Sequence, residues 1–169
     1  MAEHVPSDSP QWTAEELTEE QKRNNVIRLA FGGDEAKYRR FVQAIRDAIP
    51  PGVGAVLRGS AVTGVRWKDG AEFDADGPGT SDLDLTLVGG EALKLFRLHG
   101  FFVPGLHTRP LSDEEDPSIA PDLVPVRLEL MGLAGRPVNI QATGDLMMFL
   151  RGDLFGQPYL TLVPRPDAT

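Results

Sequence analysis

The chain has no cysteine among its 169 residues, which excludes disulfides and any thiolate metal site. Long apolar runs are missing too, and nothing approaches the roughly 20 residues of a membrane-spanning helix. The opening stretch M-A-E-H-V-P-S-D-S-P-Q-W is acidic and polar, unlike a secretory leader with its basic and then apolar regions. A cytoplasmic protein is the expectation. Basic residues are scarce: 17 Lys and Arg stand against 25 Asp and Glu, for a formal net charge of -8. That argues against a general nucleic-acid coating protein, which needs a basic stripe, but leaves room for an enzyme with a small basic pocket. The P-loop lysine motif, the zinc-protease helix and the G-x-S-x-G elbow are also absent, and no internal repeat is present. The length suits one domain with a sizeable core.

What is present centres on residues 56–88. The stretch V-L-R-G-S-A-V-T-G is followed by a polar insertion and then by G-T-S-D-L-D-L-T-L-V. Leu83, Leu85 and Leu87 alternate with Asp82, Asp84 and Thr86, the pattern of a half-buried strand. Alternation puts Asp82 and Asp84 on the same face, roughly 7 Å apart at their Cα atoms. Two carboxylates so placed repel each other unless a cation sits between them, and Mg²⁺ favours such hard oxygen ligands. Upstream, residues 53–57 read as a buried strand that ends in Arg58-Gly59-Ser60. A Gly-Ser turn at a strand end offers backbone N–H groups and a hydroxyl to an anion such as phosphate.

G-S followed by S-D-L-D-L resembles the signature of the DNA polymerase β-like nucleotidyltransferase superfamily. The resemblance covers residues 53–142 and implies an α+β fold, a mixed β-sheet with helices packed on one side. It implies that Gly59 and Ser60 grip the phosphates of a nucleoside triphosphate, with Arg58 or Lys68 neutralising charge. It further implies that Asp82 and Asp84 bind two Mg²⁺ ions. The 21 residues between Ser60 and Asp82 exceed the family's usual spacer. The excess, residues 64–79, reads as a hairpin or flap with a turn at Lys68-Asp69-Gly70.

The rest of the chain supports one domain over residues 13–163, between a loose segment 1–12 and a tail 164–169. Thr13 and Glu16 form a capping-box pattern for a first helix running to about Phe31. Asp34 caps a second, with Tyr38, Phe41, Val42, Ile45, Ala48 and Ile49 on one face. Pro50-Pro51-Gly52 ends it. A short helix over 91–98 and a short strand at F-F-V follow. Lys94, Arg97, His99, His107 and Arg109 make the most basic window, and scattered surface charge is the preferred reading of it. Residues 111–125 form an acidic, Pro-bounded loop. Thr143 caps a helix over 145–151, and Tyr159 to Val163 is expected to be an edge strand.

Residues 126–131 and 137–142 read as a β-hairpin around Gly132-Leu133-Ala134-Gly135. Members of the resembled family bring a third carboxylate on a strand beside the D-x-D strand. The matching context here, Pro137-Val138-Asn139-Ile140, carries Asn139. An amide is a weak Mg²⁺ ligand and no proton acceptor at neutral pH. A hairpin centred on Ala134 would set Glu129 across from Asn139, so Glu129 stands as the candidate third carboxylate, against a surface pairing with Arg127 or Arg136. Two functional readings follow. One is a metal-dependent transferase moving a nucleoside monophosphate from an NTP to a hydroxyl acceptor, with acceptor recognition left to the N-terminal helices, a second subunit or a partner protein. The other is a catalytically degenerate module of the same fold that binds nucleotide or a partner protein.

Overall fold

Alternation in residues 83–88 decides the sheet's two faces, and the computed structural model, which describes residues 17–66, 69–152 and 157–165, bears this out. Among the described residues six strands pair in one sheet: β1 (Gly54–Arg58), β2 (Leu83–Val88), β3 (Phe101–Val103), β4 (His107–Thr108), β5 (Val138–Thr143) and β6 (Tyr159–Val163). Their order is β3-β4-β5-β2-β1-β6. β2 runs parallel to β5 and antiparallel to β1, and β6 lies antiparallel on the other edge of β1. With its helices this makes an α+β protein, as expected. No helix among the described residues is long and apolar enough to cross a membrane.

Leu83, Leu85 and Leu87 are buried in the main core together with Leu57, Val138, Ile140 and Leu160. Against them pack α1 (Glu19–Ala30), α2 (Glu35–Ala48) and, after the short α3 (Ser60–Thr63) and α4 (Gly90–Leu93), α5 (Val124–Ala134). Asp34 caps α2 as expected, its Oδ1 accepting the Lys37 N–H at 3.0 Å. Tyr38, Phe41 and Ile45 of α2 are buried, and the Phe41 ring meets Phe31 edge-on at 5.2 Å. This geometry favours the aromatic quadrupoles.

The opposite face of the sheet carries the polar side chains Arg58, Asp84, Thr86, Asn139, Gln141 and Thr143 on β1, β2 and β5, together with Val56 and Val88. It too carries a helix, α6 (Leu146–Gly152). Phe149 of α6 lies 5.1 Å from the His107 ring and 5.8 Å from the Arg58 guanidinium. The expectation of helices on one side therefore holds for α1, α2 and α5 but not for α6.

Three further expectations change. The first helix is capped by Thr18, whose hydroxyl accepts the Gln21 N–H while the Gln21 side chain accepts the Thr18 N–H. Thr13 and Glu16 lie outside the described residues. Residues 126–131 are not a strand. They belong to α5, which has Pro in its first turn and ends at Gly135 with φ 66°, both standard helix-boundary chemistry. Leu128 is 60% exposed while Leu130 is fully buried, which a strand with both on one face would not give. Thr143, expected as the cap of the last helix, ends β5. The α6 N-terminus is instead met by Asp145, whose Oδ1 accepts the Met148 N–H.

Because Phe41 is wholly buried and packed on Phe31, Phe41→Ala should cost about 3–5 kcal/mol of stability. Urea unfolding of the full chain would measure it.

Candidate functional site

Strand register builds the site. Arg58 at the end of β1 pairs with Asp84 on β2, and Asp84 pairs with Asn139 on β5. A cation, a carboxylate and an amide therefore stand in a row across three adjacent strands. Arg58 Nη1 lies 3.8 Å from Asp84 Oδ2, and Arg58 Nη2 donates to Gln141 Oε1. Asn139 Nδ2 donates to Asp82 Oδ2 at 2.6 Å and to Asp84 Oδ1 at 3.1 Å, so one amide group bridges the two carboxylates. Burial pushes the Asp84 carboxyl above the usual carboxylate range, and the charge of Asp82 adds to it. The Arg58 charge and the Asn139 amide act against both.

Gly59 is placed where only glycine fits. Its φ of 103° and ψ of -169° fall in a region essentially closed to side chains. A Cβ there would lie 3.1 Å from Asp84 Oδ2. The chain turns at Gly59 into the short helix α3 (Ser60–Thr63), held from the other side by Asn25 Nδ2 of α1, which donates to the Val62 carbonyl at 2.8 Å.

Arg58, Gly59, Ser60, Asp82 and Asp84 line one open cleft of about 370 Å³. The D-x-D pair and the Gly-Ser turn, recognised separately in the sequence, thus share one space. Sequence reasoning missed Arg66, Asp76, Thr80, Ser81 and Gln157, which line the same cleft. Arg66 had a signal, being a cation within the polar insertion. Lys68, the residue chosen there, lies outside the described residues. Glu129 is exposed on α5 and is not among the cleft's lining residues. The cross-strand placement that made it a candidate went with the hairpin. Asn139, by contrast, does occupy the strand beside the D-x-D strand, directly opposite Asp84.

The insertion is folded, as expected of a flap. Val65 bridges Glu72 antiparallel, and the Arg66 N–H donates to the Ala71 carbonyl at 2.7 Å. Its base is clamped by Asp74, at φ 59°. The Asp74 carboxylate accepts from the Gly79 and Ser81 N–H groups and from both Nη atoms of Arg136. Arg136 Nη1 also donates to the Ser81 carbonyl at 3.0 Å, and the guanidinium carbon lies 4.5 Å over the Phe73 ring. Ser81 directly precedes Asp82, so this clamp fixes where the D-x-D strand begins. Burial alone would raise the Asp74 carboxyl. The Arg136, Ser81 and Gly79 hydrogen bonds and the Arg136 charge outweigh it and hold the pKa at about 2, below the ordinary 3.8.

The donor set can be tested for a metal. Asp82 and Asp84 offer hard oxygens, and a half-turn of the Asn139 amide would exchange its donor for an acceptor oxygen. This suits one Mg²⁺ that keeps waters and takes further ligands from phosphates. Among the described residues no group of three or more His, Cys, Asp or Glu side chains could hold a metal, so a second ion lacks its carboxylate here. Comparison with protein-family models, with curated proteins and with solved structures gives no match.

Two outcomes are expected. Gly59→Ala should destabilise the chain by about 1–3 kcal/mol from backbone strain and displace the Asp84 carboxylate, read as a thermal shift and as a changed Asp84 titration by NMR. For Asp74, the depressed pKa contributes stability that is complete above pH 3.8 and lost as pH falls through about 2. The shift corresponds to about 2 kcal/mol at most. Asp74→Asn should flatten that part of the stability-versus-pH curve, measured by denaturant unfolding from pH 5 to pH 2.

Proposed function

We propose that the protein is a metal-dependent nucleotidyltransferase of the DNA polymerase β-like class. It would move a nucleoside monophosphate from an NTP to a hydroxyl acceptor and release pyrophosphate. The observation that carries this is that Asp82 and Asp84 share one cleft with Gly59 and Ser60, an acidic wall and a phosphate-type turn on adjacent strands. Asp82 and Asp84, with Asn139 as a weak third ligand, would hold Mg²⁺, which supplies charge neutralisation at phosphate oxygens. Gly59 and Ser60 would grip the β- and γ-phosphates beside it. Arg58, engaged with Asp84 and Gln141, would keep the Asp84 carboxylate ionised and oriented rather than reach the nucleotide. In the transfer the acceptor oxygen bonds to the α-phosphorus, the bond to the pyrophosphate oxygen breaks, and the acceptor's proton passes to water in the cleft. The cytoplasm supplies NTP and Mg²⁺ together and is the compartment we assign. The acceptor is a small molecule, a nucleic acid or a partner protein carrying a hydroxyl, and a second copy of the chain could complete its recognition.

Asn139 favours a second reading. With an amide where the family places a third carboxylate, the cleft would bind Mg²⁺-NTP without turning it over. Calorimetric titration of the four NTPs, with Mg²⁺ and with chelator, into wild type and Asp82→Asn/Asp84→Asn tests the binding common to both. Metal-dependent binding lost in the double variant is the expected result, and Glu129→Gln should bind as wild type does. Failure of all four NTPs to bind would sink both readings. Pyrophosphate release in the presence of an acceptor, abolished by Asp84→Asn, separates the transferase from the binding module.

A further inference from the structure

The cleft holds two arginines, and they are differently committed. The Arg58 side chain is only 15% exposed, tied to Asp84 and Gln141 and stacked by Phe149. It belongs to the metal-side wall. The Arg66 side chain is 44% exposed and comes from the insertion. Its Nε lies 3.2 Å from Asp69 Oδ1, and its Nη1 lies 3.5 Å from Asp76 Oδ2. Asp76 itself lines the cleft and is 74% exposed. A carboxylate in that position repels any polyanion entering the cleft, whereas a guanidinium beside it offers a planar fork suited to phosphate.

We propose that Arg66 binds the terminal phosphates of the bound nucleoside triphosphate, exchanging its contact with Asp76 for them. The proposal rests on the nucleotide reading of the cleft and adds the residue that would recognise the polyphosphate end. The exchange is inexpensive, because an ion pair between exposed side chains contributes little to stability and is screened by salt. It is also directed, because a triphosphate presents more charge and more acceptor oxygens than one carboxylate. The hairpin that carries Arg66 stands on a fixed base, since Asp74 and Arg136 clamp the insertion to the start of the D-x-D strand. The guanidinium can therefore leave Asp76 while the hairpin's root stays in place. The long spacer would then be part of the binding site.

The test is calorimetric titration of the four Mg²⁺-NTPs, their monophosphates and Mg²⁺-tripolyphosphate into the full chain, as wild type, Arg66→Gln, Arg66→Lys and Asp76→Asn. Arg66→Gln should weaken NTP and tripolyphosphate roughly tenfold or more, the scale of a charged hydrogen bond, and leave monophosphate affinity unchanged. Arg66→Lys should recover part of the loss, since charge remains but the fork is gone. Asp76→Asn should tighten both polyphosphates, and that gain should vanish in the double variant with Arg66→Gln. Unchanged denaturation midpoints are expected for these exposed positions. NTP affinity equal in wild type and Arg66→Gln, or lowered equally for monophosphate, overturns the proposal while leaving the nucleotide reading intact. Weaker binding in Asp76→Asn overturns the exchange. No binding of NTP or tripolyphosphate by wild type overturns the proposal and the nucleotide reading together.

Discussion

A carboxylate held between two strands of a sheet is costly unless its charge is answered, and Asp84 is held in that way. Its neighbours across both strands are the groups that answer it: Arg58 on β1 and Asn139 on β5. Burial still raises its proton affinity against these two. At Gly59 a Cβ would lie 3.1 Å from the same carboxylate, so a side chain at the turn would push it aside as well as strain the backbone. One charged group thus faces a cation on one neighbouring strand, an amide on the other and a glycine at the turn beside it. The helices α1, α2 and α5 pack the main apolar core on the other face, while α6 adds a smaller cluster, Phe149 and Leu150 with Leu146 and Tyr159, on this one.

The insertion between Ser60 and Asp82 solves a different problem. A spacer of that length tethered only at its ends would leave the start of β2 poorly defined. Asp74 and Arg136 remove that freedom with hydrogen bonds to the backbone of Gly79 and Ser81, and the Phe73 ring covers the guanidinium. Arg136 follows directly on the Gly135 that ends α5, so the end of one helix is coupled to the beginning of the acidic strand. The same clamp presents Arg66, Asp76, Thr80 and Ser81 along one side of the cleft.

Charge in the cleft is therefore divided. Its acidic wall carries two carboxylates bridged by an amide, and its insertion wall carries an arginine held by other carboxylates. A ligand that brought a cation to one wall and accepted hydrogen bonds at the other would complement this division. A metal-chelated polyphosphate has both properties, and this complementarity underlies the functional reading. Among the described residues no third carboxylate joins Asp82 and Asp84, so a metal held there would rest on two acids and an amide.

Local chemistry in the sequence was enough to determine several features. Alternation of Leu83, Leu85 and Leu87 marked β2 and put both aspartates on one face, because strand side chains alternate with a period of two. Asp34 and the apolar spacing of Tyr38, Phe41 and Ile45 marked α2. The strand around Asn139 and the folded insertion were also legible. What misled was residues 126–131, where Leu128 and Leu130 alternate locally although the segment is helical. A short apolar run fits either period, and Pro125 and Gly135 were the better guides. Glu129 was misplaced for that reason. Only the tertiary structure decided that Arg136 reaches Asp74, 62 positions away, that Arg66 and not Glu129 lines the cleft, and that α6 packs on the face that carries Asp84. These depend on strand order and register, which bring distant residues together in ways that no local pattern records.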